Sequence, residues 1–279
     1  MSELLHILGL PLLICVLAGS MLAHLGIHVL KREVIFIDIA VAQIAAVGSL
    51  AAHLAFDAEE DAFISYAFSL ALVLLISAFY AVVRKRVTQI SIEAVIGISY
   101  AITAAGGLFL IGVAPGHAHA HEMLAGNLLW VTWRNIFTCL AVFSGVGLCL
   151  FVVRKPLSQI SNNYHQAVER GINVAWWDFV FYALAGVAIA LSVRIIGVVV
   201  VFAFLIIPAT ISALFSARWL MRMFIACATT MMASIAGLLF SYYLDDFSMG
   251  PPIALFLGAF LLIAAVLAKL RPRAIKAPG

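Results

Sequence analysis

Three histidines and a glutamate form a polar tract between two apolar runs of the chain. The histidines occupy alternate positions, at His117, His119 and His121, and Glu122 follows directly after the last of them. In an extended segment, side chains two residues apart project to one side, and imidazole and carboxylate groups suit a divalent transition ion. The tract therefore predicts a loop that collects zinc. A solvated histidine-rich loop with little metal affinity is the alternative.

Two more histidines, His24 and His28, are four residues apart in the first apolar run. On a helix this spacing places both imidazoles on one face, where they could bind one ion. Histidines inside membrane-spanning helices also form hydrogen bonds to neighbouring helices, which is the more frequent explanation. Both interpretations stay open for this pair.

Asp38 begins the second apolar run, and Gln43 follows five residues later. A carboxylate within a membrane segment is a functional candidate, although the helix dipole also favours an acid near an amino end. Five residues correspond to about 140° around a helix, so the two side chains do not share a face. Asp38 is therefore a candidate ion ligand. We expect no metal site formed by Asp38 and Gln43 alone.

The segment 161–171 is the most polar connection between the later apolar runs. Its sequence favours a short helix from Tyr164 to Arg170, which Gly171 would end. An exposed helix of this kind could dock onto another protein. A plain connector is the alternative.

The elements that position these residues are membrane-spanning helices. The chain has 279 residues, of which 65% are hydrophobic and 10% charged, with a mean hydropathy of +1.16. These values exclude a water-soluble single domain, which is nearer half apolar and a quarter charged. We predict an all-α, polytopic transmembrane helical bundle of about nine spans: 4–30, 34–56, 63–83, 93–113, 135–153, 176–193, 197–215, 223–244 and 253–268.

These spans form one predicted transmembrane domain over 1–279, with a cytoplasmic tail at about 269–279. The seventh span contains Pro208 and starts at Gly197, so we expect a kinked or partly re-entrant element there. All but two of the 16 Lys and Arg residues follow odd-numbered spans, the exceptions being Arg134 and Arg194. Because basic residues stay on the cytoplasmic side, the amino terminus is predicted outside and the carboxy terminus in the cytoplasm.

Several classes of protein are excluded or disfavoured by the sequence. Basic residues occur in short clusters between apolar runs, which argues against nucleic-acid binding. The chain has no G-x-x-x-x-G-K-[ST] phosphate loop, so ATP hydrolysis would require a separate protein. It has no H-E-x-x-H pattern of a metalloenzyme, and its four cysteines form no C-x-x-C pair.

Five tracts resemble the membrane-permease subunits of metal-ion ABC importers, the family that includes zinc and manganese permeases. In order they are HVLKREVIFIDIAVAQIAAVG (28–48), EAVIGI (93–98), QAVERGI (166–172), GVVVVFAFLIIPAT (197–210) and DFSMGP (246–251). The resemblance extends from His28 to about Phe256. It implies a homodimer of permeases, two ATP-binding ABC subunits, and a periplasmic metal-binding protein that delivers the ion.

The resemblance also implies roles for two parts of the chain. A cytoplasmic coupling helix that docks into the ATPase would contain Gln166, Ala167, Glu169, Arg170 and Gly171. Many such permeases carry Asp and His in a G-D-A-L-S-H pattern on the second span. Alignment at Gly48 places Ile39 and Gln43 at these positions, with Asp38 one residue earlier, so the ligand pair of the family is not carried over.

We therefore predict a permease in a bacterial inner membrane, surrounded by lipid, that imports a divalent metal by alternating access. Zinc is the first candidate, manganese or iron the next, and the ion is cargo, with no permanently bound cofactor. Gln43, Gly197 and Pro208 would border the path, and the chain itself would not be an enzyme. An ion-gradient-driven secondary transporter is the alternative. It predicts several buried carboxylates, whereas the spans offer chiefly Asp38.

Overall fold

The computed structural model describes residues 2–56, 63–86, 89–113, 128–162, 164–244 and 249–270. These ranges contain α1 (Ser2–Arg32), α2 (Ile37–Phe56), α3 (Phe63–Arg86), α4 (Ile92–Val113), α5 (Trp133–Val152), α6 (Arg154–Asn162), α7 (Tyr164–Glu169), α8 (Val174–Ile196), α9 (Val198–Phe215), α10 (Trp219–Tyr243) and α11 (Gly250–Leu270). A short 3-10 turn, Leu128–Trp130, precedes α5. No strand occurs within these ranges.

Nine helices in the described part of the chain are long and apolar enough to cross a membrane, namely all except α6 and α7. This confirms the predicted all-α bundle of about nine spans. Six helices begin one to four residues earlier than predicted: α1, α4, α5, α8, α10 and α11. The prediction divided the chain at charged residues, at Pro and Gly clusters and at polar loops, but the first turn of a helix accommodates such residues. Proline in particular is favoured there, since its missing N–H would have no partner anyway.

The seventh span, α9, continues through Pro208. Residues 198–215 form one helix, so the re-entrant interruption that was one expectation for this span is absent. Transmembrane helices tolerate proline when neighbouring groups satisfy the freed backbone carbonyl. Gly197 lies at the junction of α8 and α9 with a φ of 84°, a conformation that favours glycine. Its N–H donates to the carbonyl oxygen of Val193 at 2.9 Å and ends α8.

The bundle packs around α1, α2, α8 and α9, the spans with the largest buried share, whereas α4 and α11 are mostly exposed. Helix α1 packs against α5, α9 and α10, and α2 packs against α3, α4 and α8. Two glycines allow the closest approaches. A Cβ on Gly26 of α1 would overlap the carbonyl oxygen of Leu205 in α9, and one on Gly48 of α2 would lie 2.8 Å from the Ser69 Cα in α3.

We expect Gly26→Ala to destabilise the bundle by about 1 to 3 kcal/mol, because the added methyl meets backbone that cannot rotate away. The matched control is Gly9→Ala in the same helix, where a Cβ has no neighbour within 4 Å. Thermal unfolding in detergent, followed by the monodisperse fraction, measures both variants. Equal transition temperatures for the two would contradict the close contact between α1 and α9.

Candidate functional site

Opposite charges are buried together where α1, α3 and α8 meet, at a bundle end rich in basic residues. Arg32 Nη1 donates to Asp178 Oδ1 at 2.5 Å, and Arg84 Nη1 donates to Asp178 Oδ2 at 3.4 Å. The Arg32 and Asp178 side chains are 0% and 1% exposed. Arg84 also donates to the Tyr182 hydroxyl at 3.1 Å and to the Arg32 carbonyl oxygen at 3.3 Å. We call Arg32, Arg84, Asp178 and Tyr182 the arginine–aspartate cluster.

Aromatic rings cover both guanidinium groups of this cluster. The Arg32 guanidinium carbon lies 4.2 Å from the centre of the Phe181 ring, and that of Arg84 lies 4.9 Å from the Tyr164 ring. Such contacts, together with hydrogen bonds, compensate for the removal of charge from water. Removing one partner of a buried ion pair costs about 3 to 5 kcal/mol. The cluster therefore fixes the ends of α1, α3 and α8 relative to one another.

Helix α6 joins the cluster through Ser161. The Ser161 Oγ accepts a hydrogen bond from Arg32 Nε at 3.0 Å and lies 3.2 Å from His28 Nδ1. Arg32 Nη2 donates to the Leu157 carbonyl oxygen at 3.5 Å. His28 is buried and hydrogen-bonded to a neighbouring helix, which is one of the two arrangements that its position on α1 allowed.

His24 of α1 packs against α10. Its Nδ1 lies 3.3 Å from Met223 Sδ, and its ring centre lies 5.7 Å from that of His28. The Trp219 ring contacts both imidazoles, at 5.6 Å from His24 and 4.8 Å from His28 between ring centres. Among the described residues, no three His, Cys, Asp or Glu side chains lie close enough together to hold a metal ion.

Asp38 is buried in the first turn of α2 with 1% of its surface exposed. No side chain donates a hydrogen bond to either carboxylate oxygen, and the backbone N–H groups of Asp38 and Ile39 are the donors beside it. One turn later, Val41 lies 3.5 Å from the position of a Cβ on Gly186 of α8, whereas the Gln43 amide nitrogen lies 3.2 Å from that of a Cβ on Gly107 in α4. The faces of α2 that carry Asp38 and Gln43 therefore meet different helices, in agreement with their angular separation.

The α6–α7 segment, residues 154–169, has a packed face and an exposed face. Ala167 is 2% exposed and packs with Ile160 and Val174, so its side chain cannot contact a docked protein in this structure. The other candidate docking residues are exposed: Gln166, Glu169, Arg170 and Gly171. Burial, together with the nearby Asp178 carboxylate, raises the pKa of Tyr164, which keeps this phenol neutral beside Arg84.

Gly171 ends α7 as its position in the sequence predicts. It has a φ of 73°, and its N–H donates to the Val168 carbonyl oxygen at 3.0 Å. Gly197 and Pro208, the other two candidates for the path, are buried at the start and in the middle of α9. The histidine tract with His117, His119, His121 and Glu122 lies outside the described residues.

The sequence interpretation missed Asp178 and its arginines. A signal was present, because Asp178 falls inside the predicted span 176–193, and an acid in such a position requires a partner. Its partner could not be identified, since Arg32 is 146 residues away along the chain. Glu93 lies in the first turn of α4, where its Oε1 accepts a hydrogen bond from the Ile35 N–H at 3.1 Å.

Relatives of this chain include named transport proteins. A Haemophilus influenzae protein described as "Probable iron transport system membrane protein" is 26% identical over 211 residues, which cover 71% of this chain and 74% of that one. The manganese import system permease protein ScaB of Streptococcus parasanguinis is 27% identical over 184 residues, covering 66% of this chain and 65% of its own.

The fold resembles that of a solved structure. The structure titled "PsaBC from Streptococcus pneumoniae in complex with Fab" superposes with a TM-score of 0.76 at 22% identity, covering 94% of this chain and 93% of that one. The ABC 3 transport family matches residues 6–268. The chain therefore belongs to the ABC 3 transport family, and is a multi-pass permease of the bacterial plasma membrane and not itself an enzyme.

Proposed function

We propose that this chain forms half of the membrane path of an ATP-driven importer for a divalent transition metal, with zinc as the first candidate ion. Manganese and iron are the other candidates, since relatives are named for them. The partners would be a second copy of this chain, two ATPase subunits and a periplasmic metal-binding protein. The amino terminus would lie outside and the α6–α7 segment in the cytoplasm, as the distribution of basic residues favours.

The observation that carries this proposal is the Asp38 carboxylate. It is almost completely buried, and no side chain donates a hydrogen bond to either oxygen, whose neighbouring donors are the backbone N–H groups of Asp38 and Ile39. An isolated charge of this kind is costly in an apolar interior unless a cation or a proton neutralises it. A passing divalent ion supplies that charge, and carboxylate oxygen is a suitable ligand for manganese, iron and zinc.

The secondary-transporter alternative is supported less well by the distribution of buried acids. Asp178 forms ion pairs with two arginines, so its charge is balanced within the bundle. A gradient-driven carrier usually relays protons or ions through several free intramembrane acids. Within the described spans, Asp38 is the buried carboxylate that has no side-chain partner.

Uptake into proteoliposomes tests the proposed function. Vesicles containing the permease and its ATPase should accumulate radioactive zinc, manganese or iron from the metal-loaded binding protein only when ATP is present. The three metals compared side by side give the preference among them. Uptake by the permease alone on an ion gradient would contradict the proposal and support the alternative.

A further inference from the structure

We propose that the arginine–aspartate cluster is the joint through which movement of the α6–α7 segment reaches the spans that form the path. The inference rests on the proposed function, because it assumes that an ATPase docks on this segment. Asp178 and Ser161 would be positioning residues, which contact neither the ion nor ATP. Their role would be to make the docking segment and the helices α1, α3 and α8 move together.

The arginine–aspartate cluster connects the docking segment to the spans. The Arg32 guanidinium joins α1 to two other helices: it contacts Asp178 and Phe181 in α8, and Ser161 and Leu157 in α6. Arg84 extends the same set to α3 and, through the Tyr164 ring, to α7. One buried group of side chains therefore touches both helices of the candidate docking segment and three of the spans.

The ion pairs of the cluster form a rigid connection. The Arg32 and Asp178 side chains are 0% and 1% exposed, and the Arg84 side chain is 13% exposed, so water does not replace their bonds when the helices shift. Separating the pair would leave charges unpaired in an apolar surrounding, which is far more costly than moving the connected helices together. A displaced α6 would therefore carry the ends of α1 and α8 with it.

The contacts of the cluster continue through His28 to α10 and, along the chain, to the start of α2. Ser161 Oγ contacts His28 as well as Arg32, and His28 stacks with His24 and Trp219. Trp219 begins α10, which packs against α1. The buried position of Asp38 follows α1 by a short turn in which Val34 N–H donates to the Val29 carbonyl oxygen at 3.3 Å. A shift of the α1 end would thus act on the start of α2, where Asp38 lies.

The test compares two serines of α6 in the complete complex. Ser161→Ala removes the link to Arg32 and His28 without leaving a buried charge unpaired, and Ser158→Ala, at an exposed position of the same helix, is the matched control. We expect Ser161→Ala to lower metal uptake per ATP hydrolysed, and the stimulation of hydrolysis by the loaded binding protein, on the order of fivefold or more. Basal hydrolysis and co-purification of the ATPase should stay unchanged in Ser161→Ala, and Ser158→Ala should leave the metal uptake per ATP hydrolysed unchanged.

Asp178→Asn removes the central carboxylate and should uncouple uptake from hydrolysis at least as strongly. If it does not fold, Ser161→Ala alone decides the outcome. A folded Ser161→Ala protein with normal metal uptake per ATP hydrolysed would contradict the role proposed for the arginine–aspartate cluster. If the unmodified complex shows no ATP-dependent uptake, the proposed function is contradicted instead. Because the unmodified protein is measured first, failure of the proposed function is distinguished from failure of the role proposed for the cluster.

Discussion

Asp38→Asn is expected to lower metal uptake at least tenfold while the permease stays folded and bound to its ATPase. The substitution keeps the shape of the side chain and removes its negative charge. Loss of a partner that merely orients a metal ligand already costs about 10- to 100-fold in affinity, and loss of a ligand should cost no less. Uptake of the radioactive metal in proteoliposomes, together with binding of the metal to the purified permease, measures the effect.

Stability distinguishes this role from a structural one. A buried carboxylate that held the bundle together would lower the unfolding temperature when neutralised, as expected for a paired acid such as Asp178. No side chain donates a hydrogen bond to the Asp38 oxygens, and an amide oxygen can accept the same backbone N–H bonds, so we expect an unchanged or higher transition temperature for Asp38→Asn. Glu33→Gln, at an exposed acid in the turn before α2, is the matched control and should leave uptake and stability unaltered. Normal uptake by folded Asp38→Asn would remove Asp38 from the path.

The spans could be predicted from the sequence because the bilayer imposes a simple length of apolar residues. Their ends could not, since charged and aromatic side chains at a helix start depend on neighbours from other helices. Trp219 and Arg222 illustrate this point: both were assigned to a loop, yet Trp219 begins α10 and packs on two histidines of α1. Pro208 is the converse case, where a residue that breaks soluble helices is retained within a buried span.

The candidate site shows a similar division. Asp38 is a candidate from its residue type and position, and the exposed residues of α7 are candidates through the resemblance to metal-ion permeases. The pairing of Arg32 with Asp178 joins residues far apart in the chain, and nothing local to either indicates the other. Ala167 was expected among the docking residues because it lies in the matching tract, but the tract supplies both faces of a short helix. Packing against α6 and α8 buries one of them.

Arg170→Glu combined with Glu169→Lys is expected to weaken association of the ATPase at least tenfold without affecting the fold of the permease. Both side chains are exposed at the end of α7, and neither belongs to the small apolar cluster that holds this helix to α6 and α8. Removing charge complementarity at an interface, and placing like charges opposite one another, costs several kcal/mol of binding free energy. Co-purification of the ATPase at increasing salt concentrations measures the loss.

Arg86→Glu is the matched control, because Arg86 is exposed on a helix end of the same charge but lies in α3. It should leave co-purification intact, which separates a specific surface from general attraction to a basic end of the bundle. Val168→Asp, at a 51% exposed position next to Glu169, should weaken association further by placing a carboxylate within the apolar part of the contact. Equal association for all of these variants would contradict docking on α7 and make the segment a connector between α5 and α8.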